Sequence, residues 1–189
     1  MFIPPPGRYV IDPARSRIGF TTKHQFGLGT VRGSFAVRSG EMTVTDPPAG
    51  STLRAVADAA SFDSGNKGRE KKVLSKTLLD VERHPDIEFV STAVTDNGAG
   101  TWTLRGVITA RGGRAPVEFT ITQATKSGSG FAVVASGRVD RYAHGITAMK
   151  GMAGRHLDLR AEIEARPAVE PDLAQHGKTT SAGTSEGIS

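Results

Sequence analysis

Residues 17–35 read RIGFTTKHQFGLGTVRGSF, with glycines at 27, 29 and 33. A dinucleotide loop needs a strand before such glycines and a helix after them, because the pyrophosphate sits on the helix N-terminus. Here strand alternation stands on both sides. Ile18, Phe20, Thr22 and His24 share one face of an extended chain, while Arg17, Thr21 and Lys23 take the other. After the glycines, Val31, Phe35 and Val37 oppose Arg32, Ser34 and Arg38. The spacing also fits neither G-x-G-x-x-G nor G-x-x-x-x-G-K. These glycines are therefore expected to turn one strand into the next and to hold no nucleotide.

The same period of two runs outward through the chain. It recurs in Ile87, Phe89, Ser91; in Trp102, Leu104, Gly106, Ile108; and in Val117, Phe119, Ile121. Phe131, Val133, Ala135, Val139 and then Leu157, Leu159, Ala161, Ile163 follow. In the last run His156, Asp158, Arg160, Glu162 and Glu164 fill every intervening position, so one face is wet. Further strands are expected around Leu53–Ser61 and around Met42 and Val44. The stretches DNGAG (96–100), RGGRAP (111–116) and SGSG (127–130) are hairpin signals. Strands joined this tightly are antiparallel. The pattern predicts an all-β protein: an antiparallel barrel or sandwich of about eight strands.

One segment breaks the period. From Lys67 to Val81, Val73, Leu74, Thr77, Leu78 and Val81 recur at helical spacing, and Pro85 follows, which predicts one helix flanking or capping the barrel. The expected organisation is an N-terminal arm (1–8), a barrel domain (9–166) and a polar, small-residue-rich C-terminal tail (167–189).

Composition narrows the function classes. The 189 residues carry 24 Lys and Arg against 19 Asp and Glu, a formal charge of +5, and no cysteine. Disulfides, thiol chemistry and cysteine-ligated metals are thereby excluded. The densest basic run, NKGREKKVLSK (66–76), suits a solvated face or transient contact with an anionic membrane surface. Few aromatics accompany it, which speaks against nucleic-acid binding by base stacking. The start, MFIPPPGRY, lacks a basic n-region and an apolar h-region, so the expected location is cytoplasmic.

Chemistry-bearing motifs are sparse. No H-E-x-x-H, G-x-S-x-G or calcium loop occurs, and the five histidines are scattered, so neither a metal nor another cofactor is expected. Two polar features invite attention. His24 falls on the face of Ile18 and Phe20, and VDRYAHGITAMKG (139–151) gathers Asp140, Arg141 and His144 after a strand. Arg141 suits either an ion pair pinning a barrel corner or an orienting contact in an apolar pocket.

Several stretches together resemble the YceI-like family of lipocalin-like, polyisoprenoid-binding proteins: YVIDPARSRIGF with the following His24, VRGSF, LLDVERHPDIEFVST (78–92), LRGVITARGGRAPVEF (104–119) and VDRYAHGI (139–146). The resemblance runs from Tyr9 to about Glu164. Many members have Asp-Pro-x-His-Ser where this chain has Asp12, Pro13, Ala14, Arg15 and Ser16, and the helix offers REKKVL where Arg-Asp-x-x-His-Leu is common. The resemblance implies a lipocalin-like barrel holding a long apolar molecule such as an isoprenoid or isoprenoid quinone, and a homodimer.

On that reading Ile18, Phe20, Phe35, Phe89, Leu104, Phe119 and Phe131 are the expected liners of the cavity. Arg15, His24 and Arg141 are the expected polar contacts. A filled apolar core is the competing reading of the liners. An enzyme acting on an apolar substrate, with His24 as base and Arg141 or Arg15 stabilising an anion, competes with a simple carrier.

Overall fold

The computed structural model describes residues 1–24 and 27–168. Within them lie nine strands: β1 (Gly7–Ile11), β2 (Arg17–His24), β3 (Gly29–Val44), β4 (Thr52–Asp58), β5 (Asp86–Asp96), β6 (Trp102–Ala110), β7 (Gly113–Ser127), β8 (Gly130–Asp140) and β9 (Ala153–Pro167). One α-helix, α1 (Lys67–Leu74), interrupts the connection from β4 to β5. Each strand from β2 to β9 pairs antiparallel with the next, and β9 pairs back onto β2, which closes an eight-stave barrel.

The ninth strand shares a stave with β2. Over one half of the barrel β2 lies between β3 and β9, with Ile18 opposite both Phe35 and Ala161. Over the other half β1 takes that place, pairing Tyr9 with Met42 and with Pro167. The step between them is a 3-10 turn at Pro13–Arg15. Asp12 caps it by accepting a hydrogen bond from the Ala14 amide at 3.0 Å, and Pro13 supplies a preset φ. The sequence pattern assigns Gly7–Ile11 to no strand, since five residues are too few to display a period.

Strand lengths differ from expectation for one reason. The segments around Val37 and around Met42 are one strand, β3, with a β-bulge between Val37 and Ser39. The bulge moves the inward side from odd to even positions. Comparable shifts occur at Ser91/Ala93 and Ile121/Gln123, so Val94 and Ala124 continue the inner faces begun by Phe89 and Phe119.

The helix is shorter than the expected Lys67–Val81. It ends at Leu74, where the Ser75 hydroxyl donates to the Lys72 carbonyl at 2.7 Å. Turns continue from there, and Asp80 takes a positive φ of 49°. Leu78 and Leu79 still face inward, from a turn instead of a helix. The C-terminal tail expected from 167 onward lies outside the described residues apart from Pro167, which ends β9, and Ala168.

Two ends can be distinguished. At the helix end lie the connections 59–85, 111–112 and 141–152 and the β2–β3 turn. At the arm end lie residues 1–6 and the connections 45–51, 97–101 and 128–129. A stack of Phe20 on Phe62, with ring centres 5.6 Å apart, packs with Val31 and Val73 at the helix end. Tyr9 meets Phe131 edge-on at 4.9 Å toward the arm end. Between them Leu104, Ile108, Val117 and Phe119 form the wall's main apolar cluster.

The opening glycines divide their work. Gly27, at φ 93°, belongs to the turn. Gly33 lies inside β3 opposite Phe20, and a Cβ on it would sit 2.6 Å from the Asp63 carbonyl oxygen and 2.8 Å from the Phe20 ring. It is glycine because the Phe20 ring and the 62–65 segment close over it.

Candidate functional site

The barrel is hollow. A cavity of about 630 Å³ runs from the arm to α1 and lies within the range of small-molecule sites. Small side chains make the room: Ala135 and Ala161 face each other across paired strands, and Ala55, Ala57 and Ala110 add to the wall. Ile18, Phe20, Phe35, Phe89, Leu104, Phe119 and Phe131 all line it, alongside Trp102, Ile121, Leu157 and Leu159. Met1, Phe2, Ile3 and Pro4 close over the arm end, held where the Phe2 amide donates to the Ala124 carbonyl at 3.1 Å. Period two in the sequence identifies inward positions. The signal of hollowness was the alanines among them.

Polar groups border the cavity unevenly. Its charged lining residues among the described ones are Arg69, Lys72 and Arg141, all cationic and all at the helix end, with His144 beside them. No carboxylate lines the cavity among the described residues.

Arg141 is 7% exposed and opens the 3-10 turn Arg141–His144 after β8. Its Nε donates to the Gly154 carbonyl at 2.8 Å, Nη1 to that of Ile146 at 2.5 Å, and Nη2 to that of Ala153 at 3.0 Å. The guanidinium also lies 4.8 Å from the Tyr142 ring centre. Burial pushes its pKa down, yet an arginine stays charged. The ion pair with Asp140 that sequence reading considered is absent. Asp140 instead accepts two hydrogen bonds from Arg155, at 2.9 and 2.6 Å, which holds its carboxyl below the ordinary range. Arg141 thus pins the β8–β9 corner through backbone carbonyls and presents its charge to the cavity.

His144 is buried, and its Nδ1 faces the Gly113 carbonyl oxygen at 3.1 Å. That acceptor requires a proton on Nδ1, so a neutral ring keeps Nε2 as its acceptor. Gly113 allows the approach, since a Cβ there would meet the His144 backbone at 2.4 Å.

The helix supplies Arg69 and Lys72. Asn66 caps α1 by accepting from the Arg69 amide at 2.9 Å. Glu70 is buried, accepts from the Ser64 and Asn66 amides at 3.0 and 3.2 Å, and pairs with Lys67 at 3.0 Å. These bonds, that from Ser64 first, lower its pKa to about 2. Glu70 therefore fixes the helix start, and with it the two cations. The sequence pattern marks 66–76 as a solvated face or a contact with an anionic surface and does not place Arg69 and Lys72 at the cavity. Their position three apart on one helix face was the available signal.

Arg15 requires correction as a cavity contact. It closes the 3-10 turn on the outer surface, where its Nε pairs with Glu164 at 3.1 Å, because the step from β1 to β2 turns it away from the interior. The backbone of His24 pairs with Gly29 and Ala153, and the side-chain role expected of it lies outside the described atoms. The catalytic pairing of His24 with Arg141 therefore rests on the sequence alone.

Comparisons with known proteins agree with the geometry. A UPF0312 protein of Vibrio parahaemolyticus is 31% identical over 112 residues, 58% of this chain and 59% of that one. One of Pseudomonas savastanoi is 30% identical over 125 residues, 65% and 63% of the two chains. The chain thus spans about six-tenths of the length of the curated relatives it matches. Among solved structures, BcnA of Burkholderia cenocepacia superposes with a TM-score of 0.70 at 20% identity, covering 82% of this chain and 98% of that one. A polyisoprenoid-binding domain from Saccharophagus degradans gives 0.64 at 11% identity, covering 85% and 98%. These likenesses are of fold. The family model for the YceI-like domain matches residues 9–165, nearly the whole of the barrel, and the chain belongs to that family.

Proposed function

We propose that this protein binds one long apolar amphiphile of the polyisoprenoid or isoprenoid-quinone type, its tail in the barrel and its polar head at the helix end. The observation that carries this reading is the cavity itself: about 630 Å³, walled by apolar side chains, with the charged side chains of its described lining all at one end. Its fold likeness to a polyisoprenoid-binding domain supports the ligand class. Energetics fit. Burying about ten methylene groups contributes ~8 kcal/mol gross at ~0.8 each, which equals micromolar affinity before association losses. A prenyl chain longer than that still binds after those losses.

At the polar end, Arg69 and Lys72 offer donors that no lining carboxylate competes for, and Arg141 adds positive potential behind them. A head group rich in acceptors is the chemistry this end favours. Native mass spectrometry of the purified protein, followed by organic extraction, tests the reading. A prenyl or acyl lipid at one per chain is expected. A protein that emerges empty and refuses added isoprenoids overturns it.

A further inference from the structure

At the helix end the cavity wall reaches the outer surface. Met152 lines the cavity and is 52% exposed, while Leu28 on the neighbouring turn is 90% exposed. Strand register sets the two at the same rim, on either side of the end of β2. His24 pairs with both Gly29 and Ala153, so the turn before Gly29 and the loop before Ala153 leave the barrel together. Two large apolar side chains exposed at one rim, one of them continuous with the cavity lining, mark a candidate contact surface when charge accompanies them.

Charge does accompany them. Lys23, Lys71, Lys72, Lys76 and Lys150 are exposed at this end, and none has a carboxylate within ion-pair distance among the described residues. On the connection from β4 to β5 the exposed acids are Asp63 and Glu82, and the buried Glu70 is held by Lys67. The arm end provides the contrast. Met1 and Ile3 are exposed and border the cavity there too, but Arg8 and Lys126 alternate with Asp46 and Asp96. Among the described residues, protruding apolar side chains coincide with a surplus of exposed lysines at the helix end, while at the arm end they meet a mixed surface.

We infer that the helix end docks on an anionic lipid bilayer, with Leu28 and Met152 entering the headgroup layer and the lysines lying over lipid phosphates. The cavity mouth beside Met152 then faces the membrane, where a water-insoluble ligand is found. The purpose of docking rests on the amphiphile-binding reading; its geometry does not. Neither signal suffices alone. Single apolar insertions bind weakly, and each lysine near such a surface strengthens binding about fivefold.

Flotation of the full chain with vesicles of phosphatidylcholine, with and without equimolar phosphatidylglycerol, tests the inference. Binding is expected only with phosphatidylglycerol and is expected to weaken with added salt. The variant Lys71→Glu/Lys76→Glu/Lys150→Glu should bind about a hundredfold more weakly. A positional readout accompanies it. The single tryptophan, Trp102, begins β6 at the arm end, so Trp102→Phe silences the background for Leu28→Trp. Emission from position 28 is expected to shift to the blue on anionic vesicles, and that from native Trp102 to stay unchanged. Equal binding to both vesicles, undiminished binding by the triple variant with an unchanged melting curve, or no shift at position 28 overturns the inference. Uptake of a soluble short-chain prenyl probe without vesicles is scored separately. Its failure counts against the ligand reading and leaves docking standing.

Discussion

Arg141 shows how one side chain serves wall and corner together. Three backbone carbonyls accept from it, that of Ile146 in the connection after β8 and those of Ala153 and Gly154 at the start of β9. Arg141→Met keeps the bulk but leaves those acceptors unmade, with an expected loss of about 3 kcal/mol. Chemical denaturation should show a lower midpoint at unchanged slope. Arg141→Lys is expected to recover only part of the loss, because an ammonium cannot reach three separated carbonyls in one plane. The sequence put Arg141 at a barrel corner but not its partners, since backbone carbonyls that receive a side chain have no signature. Arg15 failed for the opposite reason: a resemblance marked its position, while the turn that faces it outward is set by Asp12 and Pro13.

Among the elements, α1 is the one whose placement is chemical as much as hydrophobic. Only eight residues long, it is tied at its start by the Asn66 cap and by Glu70. A carboxylate with a folded-state pKa of about 2, below the ordinary value near ~4.3, adds stability that is fully present above the ordinary range. That contribution disappears as pH falls from ~4 through ~2. Glu70→Gln is expected to be less stable at neutral pH and to lose less on acidification across that window. Urea melts at stepped pH read this directly, and parallel curves for the two proteins would contradict it. Strand elements were legible wherever a side faced the interior, and bulges alone obscured their continuity. After Val37 the inward parity reverses, so one sixteen-residue strand read as two. The helix read too long because Leu78 and Leu79 keep helical spacing while their backbone turns.

On the scale of the whole molecule, the question left open by period two was whether the barrel is filled or hollow. Ala135 and Ala161 answer it at mid-height, where larger residues would meet. Ala161→Phe is expected to occupy empty space without the usual cost of overpacking, raising the melting temperature while abolishing ligand uptake. Thermal melts with native mass spectrometry check both halves; a destabilised variant would mean the wall has no slack. Charge follows the same long axis, with cations at the α1 end of the cavity and a mixed surface at the other.

The stave shared by β1 and β2 has a consequence for how the chain is made. β1 lies within the first dozen residues, yet its partners are the far half of β3 and the last residues of β9. Hairpins from β5 to β8 form between sequence neighbours and pay little loop-closure entropy. The seam of β1 and β2 against β9 joins positions about 150 residues apart, the slowest kind of contact to make. A nascent chain lacking β9 is an open, curled sheet with its greasy inner face uncovered. Synthesis therefore passes through a stage in which the future cavity wall is the most adhesive surface of the protein.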